Sequence, residues 1–113
     1  MGQHKKPRNF ELRIYTLASK ASLDFLKEKI LPRNVISYPA FGIEPQGIWT
    51  NPKDTGFKLY FLVSYAGDQD PKEVEHKWLS SKEFAENTKD LDPKSILSVE
   101  VTYLQPTESS PLQ

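Results

Sequence analysis

Three stretches of this chain, Phe10–Leu17, Phe57–Ala66 and Ile96–Gln105, alternate apolar and polar residues over most of their length. That period of two is the mark of strands with one covered face. A shorter strand is expected at Gln46–Thr50, where Pro45 restricts it to an edge or a first-residue position. Between the strands lie two helical segments. Ser19 or Ser22 can cap the first, in which Leu23, Leu26 and Ile30 recur at helical spacing. Pro32 interrupts it, because proline cannot donate to the carbonyl of Glu28, and Pro39 and Gly42 end it. The second helix starts at Asp70-Pro71-Lys72-Glu73, with Asp70 as N-cap, Pro71 at the first helical position and Glu73 closing a capping box. Ser80 with Glu83 suggests a break and restart through Phe84, and Asp92-Pro93 ends the segment.

The resulting order is β-α-β-β-α-β, the α+β ferredoxin-like plan. Right-handed crossovers place both helices on one face of a four-stranded antiparallel sheet. Phe10, Leu12 and Ile14 of the first strand, with Phe57, Leu59, Phe61, Val63 and Tyr65 of the third, are expected under the helices. The other face would carry Glu11, Arg13, Tyr15, Lys58, Tyr60, Glu100 and Thr102. It must meet water, a partner or a ligand. An apolar content of 37% is low for a packed domain, and polar tails or a polar second sheet face would each account for it. Residues 1–8 are expected as a disordered arm, 9–105 as the domain and 106–113 as a loose tail.

Glu11-Leu12-Arg13-Ile14-Tyr15, followed after one helix by Gly42-Ile43-Glu44-Pro45-Gln46-Gly47-Ile48-Trp49, resembles the NIPSNAP family. The resemblance implies a dimeric α/β barrel in which two sheets close with their helix-free faces toward a lumen. From other families sharing that barrel it implies a cofactor-independent oxygenase or isomerase acting on an activated carbonyl compound. The alternative it carries is a non-catalytic interaction module. The spacing from Pro32 to Gly42 is about a turn longer than the family's pattern.

Five residues are candidates for a ligand pocket. Arg13 would anchor an anionic group, with Tyr15 and Tyr60 orienting it and donating protons. The structural alternative for Arg13 is a cross-strand ion pair with Glu11 or Glu100. Tyr60 is equally suited to a dimer contact. Trp49 matches the family's aromatic, although packing under a helix is its expected role. Glu100 completes the polar set.

Other classes are disfavoured. Fifteen basic and fifteen acidic side chains cancel, without the clustered Lys and Arg of a nucleic-acid footprint. No stretch is long enough for a membrane span, and the N-terminus has no apolar core of a secretory signal. With no cysteine there is no thiolate chemistry. No metal and no cofactor is expected. His76 is the exception to weigh, because related barrels bind haem through a helix-borne histidine. It lies roughly 160° around the helix from the Val74 and Trp78 stripe, however, and a solvated position is expected. A homodimer in the cytoplasm, binding a small molecule, is the expectation that follows.

Overall fold

A computed structural model describes residues 6–113; residues 1–5 of the expected arm lie outside it. The elements run β1 (Asn9–Leu17), α1 (Lys20–Phe25), a wide π-turn segment (Leu26–Ile30), α2 (Leu31–Ser37), a 3-10 turn (Tyr38–Phe41), β2 (Ile43–Trp49) and β3 (Phe57–Tyr65). They continue with α3 (Pro71–Leu79), α4 (Lys82–Asn87), a second 3-10 turn (Pro93–Ser95) and β4 (Ile96–Leu104). The sheet order is β2-β3-β1-β4, antiparallel at every pairing. This is the ferredoxin-like plan, with the helices on one face.

The caps explain where the helices start. Ser19 accepts the Ser22 N–H at 3.0 Å, and Asp70 accepts that of Lys72 at 3.1 Å. The restart falls one residue later than the Ser80–Glu83 box suggested. Ser81 is the N-cap of α4, accepting the Phe84 N–H, whereas the Ser80 hydroxyl donates back to the His76 carbonyl. Pro32 stands in the first turn of α2, directly after the widened segment in which Leu31 N–H reaches the Leu26 carbonyl. Gly42 then ends the helical run at φ 75°, a conformation most side chains avoid. β2 is an edge strand, which is what Pro45 requires, and it begins earlier than expected, at Ile43.

The core is built from Leu59, Phe61, Val63 and Tyr65 of β3 beneath Leu26, Ile30, Leu31, Tyr38, Val74 and Trp78 of the helical layer. The first strand contributes the set opposite to the expected one. Cross-strand partners share a face, and Arg13 pairs with Phe61 and Val101, Tyr15 with Leu59 and Val99, Glu11 with Val63 and Tyr103. Glu11, Arg13, Tyr15 and Leu17 therefore lie under the helices, and Phe10, Leu12 and Ile14 lie on the helix-free face. The reason is that Glu11 and Arg13 neutralise one another inside the protein, so the charged side of the strand can be buried.

Candidate functional site

Glu11 is 0% and Arg13 6% exposed, and their side chains form an ion pair between positions i and i+2 on one side of β1. Tyr65 closes the arrangement. Its hydroxyl donates to the other Glu11 oxygen at 3.0 Å and accepts from Arg13 Nη2 at 3.2 Å. Burial alone would ease the proton off Arg13, but Tyr15, Glu11 and Tyr65 outweigh it and hold the guanidinium charged above its usual range. Burial, with Glu11 adding to it and Arg13 opposing, keeps the Tyr65 phenol protonated well above its ordinary range. The result is a buried charge pair with little net field to offer an anion.

A cavity of about 350 Å3 adjoins this network, between β1 and β4 below and the helical layer above. Leu26, Ile30, Leu31, Trp78, Leu79 and Phe84 supply apolar wall, and Arg13, Tyr15, Asn34, Tyr38 and Glu75 supply polar groups. Apolar enclosure with a few convergent polar groups is the usual composition of a small-molecule site. Glu75 is only half-buried, on the flank of α3. Burial first, and then repulsion from Glu11, push its carboxyl above the ordinary range, with Arg13 working the other way. Tyr103 on β4 adjoins the same carboxyl, and its phenol is raised by burial, Glu11 and Glu75. A carboxyl whose hold on its proton is strengthened beside a cavity is suited to take a proton from a bound molecule and to return it. A larger hollow of about 970 Å3 opens at the β2–β3 end, but Arg8 and Glu44 on its rim already pair with each other.

The five expected pocket residues do not share one site. Arg13 and Tyr15 line the helix-side cavity. Trp49, Tyr60 and Glu100 stand in a row with Ile14 across the opposite face, as the pairings Trp49–Tyr60, Tyr60–Ile14 and Ile14–Glu100 require. The single pocket expected for Arg13, Tyr15 and Tyr60 on the helix-free face is thus corrected by the phase of β1. Tyr60 donates to Asp54 at 3.0 Å, which ties it to the β2–β3 connection. Trp49 is not under a helix; it is 53% exposed, with its ring folded over Gly47, where any Cβ would collide with it. Glu100 is exposed, as is His76. Among the described residues no group of three or more His, Asp or Glu side chains is placed to hold a metal ion.

Glu75, Asn34 and Tyr38 were not among the sequence candidates. The signal for Glu75 is its position three residues before Trp78, on the border of the buried stripe. Asn34 and Tyr38 extend the row Ile30-Asn34-Tyr38 at i, i+4 spacing, and a polar residue in such a row is the mark to look for.

No family model matches the chain, and no curated protein matches it in sequence. Solved structures do. A NIPSNAP family protein from Agrobacterium tumefaciens superposes with a TM-score of 0.75 at 22% identity, covering 100% of this chain and 97% of that one. The chain has the fold of the NIPSNAP proteins. A second NIPSNAP family protein from that bacterium, of unknown function, gives 0.74 at 16% identity with full coverage of both chains. The same NIPSNAP-like fold extends to a candidate antibiotic biosynthesis monooxygenase from Chloroflexus aurantiacus, with a TM-score of 0.65 at 19% identity over 93% of this chain and 99% of that one.

Proposed function

We propose that this protein binds a small, neutral carbonyl compound in the helix-side cavity and moves a proton on it through Glu75. The observation that carries the reading is the cavity itself: apolar walls, a self-compensated Glu11–Arg13 pair, and a carboxyl on its border raised by burial. The pairing argues against the anionic ligand that a free Arg13 would have favoured. Removing a proton next to a carbonyl is a step open to an isomerase and to a cofactor-independent oxygenase alike, and the likeness to a monooxygenase-type structure supports that range. The test is hydrogen–deuterium exchange at the carbon next to the carbonyl in a panel of small ketones, 1-tetralone among them, followed by NMR in D2O. The protein should accelerate exchange, and Glu75→Gln should reduce the acceleration by roughly 100-fold or more. No protein-dependent exchange across the panel would overturn the reading.

We also propose that the chain forms a homodimer through the helix-free face. Leu12, Ile14 and Leu62 lie there beside the exposed Trp49 and Leu104, a contiguous apolar surface of the kind that marks interfaces. Sedimentation should give twice the 13.0 kDa chain mass at micromolar concentration, and Leu62→Lys should shift it toward the single chain. A wild-type monomer under those conditions contradicts the proposal. Among the described residues no helix is long and apolar enough to cross a membrane.

A further inference from the structure

We infer that the side-chain amide of Asn34 and the hydroxyl of Tyr38 form a pair of donors that takes the ligand's carbonyl oxygen in the helix-side cavity. The inference rests on the ligand-binding reading above and adds the residues that would orient the ligand and hold negative charge on its oxygen. The two side chains lie one helical turn apart, in the middle of α2 and at the start of the 3-10 turn, so they project from the same side. Both line the cavity, and Asn34 is 6% and Tyr38 1% exposed.

Their hydrogen bonds leave specific atoms unused. Asn34 Oδ1 accepts from Asn87 Nδ2 at 3.2 Å, and Asn87 also donates to Ser37 Oγ at 3.1 Å. That fixes the Asn34 amide with its oxygen toward α4, and its nitrogen has no acceptor among the described residues. The Tyr38 hydroxyl likewise donates to none of them, while Arg13 faces its oxygen from below. Yet among the described residues no side-chain nitrogen or oxygen sealed from solvent is left without a partner. The Asn34 nitrogen is therefore not sealed into packed protein, and Asn34 and Tyr38 both stand on the cavity wall.

Two neutral donors on one wall suit one chemistry. A carbonyl oxygen accepts both hydrogen bonds, and those bonds strengthen as charge develops on that oxygen. A hydrocarbon of the same shape would leave both donors desolvated and unpaired, which costs binding. With Glu75 on the border to take the proton, the electron pair of the broken C–H bond moves into the new C=C bond, and the carbonyl π pair moves onto the oxygen. The proton on Glu75 returns to carbon in the reverse step, so no oxidant is required.

Equilibrium dialysis of 1-tetralone and tetralin, which differ by that one oxygen, separates the possibilities. The wild-type protein should bind the ketone about tenfold more tightly than the hydrocarbon. Tyr38→Phe and Asn34→Leu should each collapse most of that preference by weakening the ketone and tightening tetralin, which no longer leaves a donor unpaired. Asn87→Ala, which removes the contact that fixes the Asn34 amide, should weaken the preference by less than Asn34→Leu does. Equal binding of the two probes by the wild type, or a preference that survives Tyr38→Phe and Asn34→Leu together, overturns the donor pair and leaves the cavity reading in place. Binding of neither probe overturns the cavity reading, and the donor pair with it.

Discussion

Replacing Arg13 with Met should destabilise the protein by about 3–5 kcal/mol, the range for removing one partner of a buried ion pair. The substitution leaves Glu11 wholly enclosed, with its charge-bearing donor gone and the neutral Tyr65 hydroxyl still on its carboxylate. Tyr65 also loses the Arg13 donor that its oxygen accepts. Had Arg13 stood on the helix-free face, the same change would have touched the fold by less than about 1 kcal/mol, as exposed pairs do. Urea denaturation of the single variant tests the size of the loss. The double variant Glu11→Leu with Arg13→Met removes both charges and should recover most of it, because apolar replacements of a buried pair are often neutral or stabilising. The four proteins close a double-mutant cycle, and a coupling near zero would mean that the pair is not the unit described.

Trp78→Ala should be equally damaging, at about 3–5 kcal/mol for truncating a large buried aromatic. The Trp78 ring meets Tyr38, Phe41 and Phe84 edge-on, at centroid separations of 5.0, 5.1 and 5.5 Å. It thereby joins the end of the first helical run to α3 and α4. Truncation also opens the cavity into the core, so neighbouring side chains can collapse inward only at the cost of the site. Chemical denaturation should show a lowered midpoint with an unchanged slope, the mark of lost stability rather than a changed unfolded state. Trp78→Phe retains part of the edge contacts and should lose less than half as much. A loss under about 1 kcal/mol for Trp78→Ala would show that the roof does not depend on this ring.

The arrangement of elements was legible because each depends on local chemistry. Alternation marked the strands, Ser19 and Asp70 marked two helix starts, and Pro45 marked an edge. The inner face of β1 was not. Alternation separates two faces but cannot say which one is buried when the polar set can satisfy itself. Glu11, Arg13 and Tyr65 do that through partners 2 and 54 residues apart in sequence, and the longer pairing has no local signature. One clue was present: Leu17 continues the Glu11-Arg13-Tyr15 phase and belongs to the core. Tyr60 was placed on its correct face, since β3 carries a wholly apolar opposite side. The cavity itself was beyond reach, because it depends on how far the helical layer stands from the sheet.

The widened segment Leu26–Ile30 has a consequence for how such a site can change. Its Leu31-to-Leu26 bond spans one residue more than an α-helical bond. At 3.6 residues per turn, one residue more or fewer is a rotation of about 100°. Everything from Leu31 onward is indexed against everything before Leu26 by that single extra residue. Deleting it would restore a regular helix and swing Asn34 and Tyr38 about a quarter-turn around the axis, while Ser19 still capped the start and Gly42 still ended the run. A one-codon change in length, with no substitution among the wall residues, would then be enough to present a different pair of side chains to whatever the cavity holds.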